Sequence, residues 1–466
     1  MNTKTSPHVL VPPITIILFI FMMFLQIQTS TTSSLSSPKQ KPFILPLKVQ
    51  TLPHGTISLP KPSSKLSFQH NVTLTVSLTL GSPPQNVTMV LDTGSELSWL
   101  HCKKLPNLNS IFNPLLSSSY TPTPCTSPIC ITRTQDFPVP VQCDPKKLCH
   151  ATITYADSTY IEGNLATETF FAGGSAQPGT IFGCMDSGFS SNSNEDSKTT
   201  GLMGMNRGSL SFVTQMGLPK FSYCISGKDS TGVLLFGDAN IKWVGPLKYT
   251  PMVKITTPLP YFDRVAYTVR LEGIRVGKKL LQLPKTIFAP DHTGAGQTMV
   301  DSGTQFTFLL GPVYSALRQE FVEQTKGVLT LLEDTNFVFQ GAMDLCYRIG
   351  SGSVLPTLPA VTLVFEGAEM SVSGERLLYK VADVALKGNN NHSNDLVYCF
   401  TFGNSDLLGI EAYIIGHYHQ MNVWMEFDLV NSRVGFADTK CELASQRPGQ
   451  SSNTCGLQLW RLILEK

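Results

Sequence analysis

Two stretches of this 466-residue chain each end an apolar, β-branched run in an aspartate. The first reads Thr88-Met89-Val90-Leu91-Asp92-Thr93-Gly94-Ser95, with Trp99 four residues on. The second reads Thr298-Met299-Val300-Asp301-Ser302-Gly303-Thr304, with Phe308 four residues on. Each aspartate is followed, 112 and 115 residues later, by the glycine of an apolar-apolar-glycine triplet: Leu202-Met203-Gly204 and Ile414-Ile415-Gly416. Two carboxyl groups brought together can share one proton, so that one acts as base and the other as acid on a water molecule. Neither aspartate could do this alone. Gly94 and Gly303 lack a Cβ, which lets the two loops approach closely. Asp186-Ser187-Gly188 is a third Asp-Ser-Gly, but it lacks both the following hydroxyl and the downstream triplet, and it reads as a polar turn.

The elements that must carry these loops are strands. Alternating runs of Val, Thr, Leu and Ile, broken by 36 Gly and 31 Pro, predict an all-β protein with few helices. The matched flanks predict two lobes of equivalent plan, and the length allows two or three domains. Net charge is +2 and no basic cluster interleaves with aromatics, which argues against a nucleic-acid partner.

Charge is distributed unevenly. Residues 1–91 contain six lysines and no acidic side chain. Lys4 and the apolar run Ile14–Leu25 read as a secretory signal over residues 1–30; only if uncut would this segment act as a membrane anchor. Residues 31–69 read as a short basic pro-segment or linker, whose lysines could pair with active-site carboxylates near neutral pH.

Eleven cysteines fit an oxidising compartment, and no histidine stands at a zinc spacing, so no metal is expected. Cys102, Cys125, Cys130, Cys143, Cys149, Cys184, Cys224, Cys346, Cys399 and Cys441 are the disulfide candidates. Cys455 lies in a C-terminal tail, residues 446–466, that matches no pattern. Asn71, Asn86 and Asn391 open Asn-X-Ser/Thr glycosylation sequons.

These residues together resemble the pepsin-like aspartic proteases, and among them the plant nepenthesin-like branch, over roughly residues 70–445. Further motifs in order carry the resemblance: Leu80-Gly81-Ser82-Pro83-Pro84-Gln85, Ile153-Thr154-Tyr155-Ala156-Asp157, Phe221-Ser222-Tyr223-Cys224 and Val434-Gly435-Phe436-Ala437. The resemblance implies a bilobal all-β fold, with lobes at 70–243 and 248–445 and the active site in the cleft between them. It makes Asp92 and Asp301 catalytic, with Thr93 and Ser302 cross-bonding their loops and Ser95 and Thr304 bonding the outer carboxylate oxygens. Tyr155 matches the tyrosine of a flap over the substrate, and Trp99 its hydrogen-bond partner. Cysteines from 102 to 149 match a Cys-rich insertion. Cys346 and Cys399 match a bridge closing a 53-residue loop, worth about 4 kcal/mol by chain entropy.

The implied function is an aspartic endopeptidase that cuts extended polypeptides in acid. It would need no cofactor, act as a monomer, and reside on the secretory route in the apoplast, vacuole or endoplasmic reticulum. Two departures stand out. Ala156 and Ser158 replace common flap glycines, which predicts a stiffer hairpin. His417 replaces a more usual Asn or Asp and reads as a polar strand-end residue. A non-catalytic inhibitor or carbohydrate-binding relative is the alternative; such a protein is expected to have lost an aspartate or its glycine, and both triplets here are intact.

Overall fold

The computed structural model describes residues 42–52, 72–106, 108–239, 244–332, 337–350, 352–381 and 396–444. The signal segment, most of the basic segment, Asn71, Asn391, Cys455 and the tail lie outside the described residues.

Strand Val72–Leu80 alternates Thr or Ser with apolar residues, and Leu74, Val76, Leu78 and Leu80 are buried. A turn at Gly81, with φ of +93°, returns it antiparallel into strand Gln85–Asp92. That strand ends at the first aspartate. Strand Gly201–Gly204 lies parallel to it, with Gly204 opposite Asp92, and pairs antiparallel with Trp99–His101 on its other edge. A strand from 112 residues downstream thus separates two strands that are neighbours in sequence.

The second half repeats the plan. Gln297–Val300 runs parallel to Ala412–Ile415, and Phe308 of strand Thr307–Leu309 pairs antiparallel with Ile414 across the far edge. The inserted strands are covered on both faces, which explains why Leu202-Met203 and Ile414-Ile415 read as unbroken apolar pairs. The glycines that close them are sterically required. A Cβ on Gly204 would meet the Glu96 carbonyl, and one on Gly416 the Phe306 carbonyl.

The halves join edge to edge. Lys220–Ile225 pairs antiparallel with Val423–Asp428, and at that seam Phe221 stacks on Phe427 at 4.6 Å between ring centroids. Each seam strand has a hairpin mate, Thr231–Phe236 on one side and Arg433–Asp438 on the other. One hydrophobic core runs through both halves.

Two elements differ from expectation. Residues 43–51 form a strand, Phe43–Thr51, between Thr231–Phe236 and Val72–Leu80. Phe43 and Leu47 enter the core, so these nine residues are an ordered part of the sheet and not a free linker. A 15-residue helix, Gly311–Thr325, also stands where helix was not expected; its buried stripe Val313, Leu317 and Phe321 repeats every four residues.

All ten candidate cysteines pair. Cys125–Cys143 and Cys130–Cys149 staple the insertion internally, whereas Cys102 leaves it for Cys184. Cys224–Cys441 and the expected Cys346–Cys399 complete the set. Asn86 is exposed on its strand.

Candidate active site

Parallel pairing delivers both aspartates to the same place. The Asp92 and Asp301 carboxyl groups stand side by side, each against the glycine of the opposite loop. Each is held by its own loop in the same way. Gly94 N–H donates to Asp92 Oδ1 at 2.8 Å and Gly303 N–H to Asp301 Oδ1 at 2.9 Å. Ser95 donates to Asp92 Oδ2, and Thr304 Oγ1 to Asp301 Oδ2 at 2.6 Å.

The loops also grip one another. Thr93 N–H donates to Ser302 Oγ at 3.0 Å, and Ser302 N–H to Thr93 Oγ1 at 2.9 Å. Each hydroxyl passes its own proton across to the other half's strand, Thr93 to the Val300 carbonyl and Ser302 to the Leu91 carbonyl. Four reciprocal bonds therefore fix the distance between the carboxyl groups.

Burial, and then the neighbouring Asp301 carboxylate, hold the Asp92 carboxyl well above the usual carboxylate range. Two carboxylates about 3 Å apart repel by roughly 5 kcal/mol at an effective dielectric of 20, so the pair retains one proton.

A hairpin of Cys149–Thr154 and Tyr160–Ala172 overhangs the dyad. Trp99 Nε1 donates to Tyr155 Oη at 2.6 Å, which fixes the phenol against the floor of the cleft. Asp157 knots the hairpin tip: its carboxylate accepts from Thr159 N–H at 2.9 Å, Thr159 Oγ1 at 2.8 Å and Ser191 Oγ at 2.6 Å. Ser158 takes a φ of +70°, a conformation that favours glycine. Ser158→Gly is expected to raise stability by up to about 1 kcal/mol through relief of that strain. Thermal midpoints of the two proteins at equal pH check this; a lower midpoint for the glycine variant would contradict it.

Sequence reasoning missed several supporting residues. Ser98 and Thr307 stand six residues past each aspartate and accept from the glycines of the apolar triplets, Gly204 N–H at 3.1 Å and Gly416 N–H at 3.2 Å. Their equal offset was the available signal. Tyr223 donates to Gln420 Oε1, and Gln420 Nε2 reaches the Asp301 carbonyl at 3.3 Å and the Ile415 carbonyl at 2.7 Å. This strut crosses the seam, and nothing in the sequence announced it. His417 is buried behind the second loop, with Nδ1 3.1 Å from the Ser302 carbonyl oxygen, in a structural position.

Glu96 lies just past the first loop, 8% exposed, accepting from Leu210 N–H at 2.8 Å. Burial pushes its carboxyl up to about 7. Between pH 4.5 and 7 the folded chain thus holds a proton that the unfolded chain releases, so stability falls as pH rises through that window. Glu96→Gln is expected to flatten the fall and to raise the melting temperature at pH 7.5. Paired melts at pH 5 and 7.5 test it; an unchanged slope is the contrary result.

The xylanase-inhibitor N-terminal domain model matches residues 74–238, and the C-terminal one residues 266–438. Aspartic proteinase PCS1 of Arabidopsis thaliana is 60% identical over 417 residues, covering 88% of this chain and 90% of that protein. The chain belongs to the plant pepsin-like aspartic proteinases. Aspartic proteinase nepenthesin-2 of Nepenthes gracilis is 29% identical, over 78% of this chain and 77% of its own. The crystal structure of basic 7S globulin from soybean shares the fold at 19% identity, with a TM-score of 0.59 over 86% of this chain and 98% of that one. As a member of this family the chain is an aspartic endopeptidase, and polypeptides are its substrates.

Proposed function

We propose that Asp92 and Asp301 together hydrolyse peptide bonds in acid by activating water. The cross-braced pair of carboxyl groups is the observation that carries this reading. In the free enzyme the pair holds one proton between its two carboxyl groups. The ionised partner takes a proton from water as its oxygen attacks the peptide carbonyl carbon, and the acid gives its proton to the carbonyl oxygen. The resulting diol collapses as the amide nitrogen gains a proton, the C–N bond breaks, and a carboxyl and an amine leave. Substrate lies extended along a cleft of about 710 Å³ under Tyr155.

The lobes run over about 70–243 and 248–445, which the two matched regions support. The monomer enters the secretory pathway through residues 1–30, and the five disulfides suit that route. No helix among the described residues is long and apolar enough to cross a membrane.

The test is hydrolysis of a neutral, extended, fluorogenic peptide at about pH 4, with and without an inhibitor that mimics the diol through a secondary alcohol. Cleavage blocked by the inhibitor is expected. A folded protein that neither cuts the peptide nor binds the inhibitor would turn the reading toward a non-catalytic relative.

A further inference from the structure

The charge of the cleft points to a class of substrate. Besides the dyad, Glu96, Asp136, Asp157, Glu195, Asp196, Asp263 and Glu411 line it, and Arg264 is the one cationic side chain among the described lining residues. Arg264 is already engaged, at 2.5 Å from Asp136. From residue 92 on the chain carries 29 basic and 33 acidic side chains, and nine of those acids, the dyad included, line this cleft beside a single arginine. A cleft lined by one sign of charge between low-dielectric walls concentrates ligands of the other sign.

On the flap side the walls and the charges are contiguous. Val90 and Leu202 face each other across paired strands, two residues from each strand's end. They pack in one cluster with Trp99, Ile161 and Tyr155. His101 packs edge-on against Trp99 at 5.0 Å, and its Nε2 lies 4.0 Å from Asp196 Oδ1. An apolar wall beside Asp92 therefore leads to the carboxylates of Glu195 and Asp196. That sequence suits a side chain with a methylene stem and a cationic head.

Glu96 supplies an independent observation. It lines the same cleft, is 8% exposed, and its Oε2 has no hydrogen-bond partner among the described residues. Unpartnered buried oxygens are uncommon, and once Glu96 ionises above about pH 7 a cationic donor in the cleft would satisfy this one.

We propose that this cleft selects peptides bearing lysine or arginine close to the cut bond, with the cationic head directed to Glu195 and Asp196 or to Glu96. The inference rests on the reading of the cleft as a peptide-cleaving site.

The test uses one neutral parent peptide and versions carrying Lys, norleucine or Glu at each position flanking the cut, at pH 5, where ordinary carboxylates are largely ionised. Binding is read by fluorescence anisotropy on the inactive Asp301→Asn protein, and cleavage on the wild type. At one or more positions Lys is expected to exceed Glu about tenfold in both affinity and kcat/KM, and the ratio to shrink as salt is added. In Glu195→Gln with Asp196→Asn at pH 5, or in Glu96→Gln with binding read at pH 8, where Glu96 is ionised too, the ratio at the matching position is expected to fall to within about twofold. Lys, norleucine and Glu peptides bound equally at every position would overturn the inference while leaving the cleavage reading intact. A Lys preference in binding without cleavage by the wild type would instead sink the cleavage reading and keep the inference. A preference that survives all three substitutions also overturns the assignment.

Discussion

Asp301→Asn is expected to fold with all five disulfides and to cut a neutral peptide about ten-thousand-fold more slowly than the wild type, because base and shared acid are lost together. Asparagine keeps an oxygen to accept from Gly303 N–H, and its amide NH2 can donate to the Thr304 hydroxyl where the carboxylate had accepted, so the loop geometry is retained. What it cannot do is share a proton. Asp92→Asn is expected to be equally inactive, and it carries a second signature. The raised Asp92 carboxyl holds in the folded state a proton that the unfolded state gives up above about pH 4. Wild-type stability therefore declines as pH rises from there to the folded value, and the asparagine variant escapes that decline. A dead enzyme that melts higher than the wild type at pH 7 is the expected result. Equal or lower melting would contradict the protonated state assigned to Asp92.

Gly303→Ala is expected to lower kcat by at least about a hundredfold, the scale of loss from a displacement near 1 Å at a reacting centre. A Cβ at that position would overlap the Asp92 carboxyl group, and one on Gly94 would stand 2.8 Å from Asp301 Oδ1. Either methyl would push the opposite carboxyl out of plane without removing any catalytic atom. Gly245→Ala is the matched control, since a Cβ there meets nothing within 4 Å. Kinetics and thermal melts of the two variants check the claim. Near wild-type turnover in Gly303→Ala would mean that the carboxyl groups tolerate displacement and that their spacing is not what the loops enforce.

The parts of the site that were legible in the sequence are those whose chemistry admits few residue types. An aspartate at a strand end, a glycine under the opposite carboxyl and hydroxyls on both sides leave a motif, and its recurrence near residue 301 marked the pair. Tyr155 and Trp99 met as the resemblance implied. The parts that were not legible depend on contacts between distant segments. Phe43–Thr51 looks like a linker because proline and lysine interrupt it, and only its neighbours Thr231–Phe236 and Val72–Leu80 make it a strand. Helix Gly311–Thr325 buries only four large apolar or aromatic residues, Val313, Tyr314, Leu317 and Phe321, too few to stand out among alternating strands. The Tyr223–Gln420 strut joins residues of opposite halves, and the four cysteine pairs besides Cys346–Cys399 follow from the topology alone.

The most direct test of the dyad is the pH dependence of kcat/KM on the neutral peptide, from about pH 3 to 8, in the wild type and Asp301→Asn. The expected wild-type profile is highest in acid and falls on the alkaline side as the shared proton leaves, while the variant stays at background throughout. Cleavage that rises toward pH 8, or that survives in Asp301→Asn with the same profile, would show that the reaction does not run through this pair.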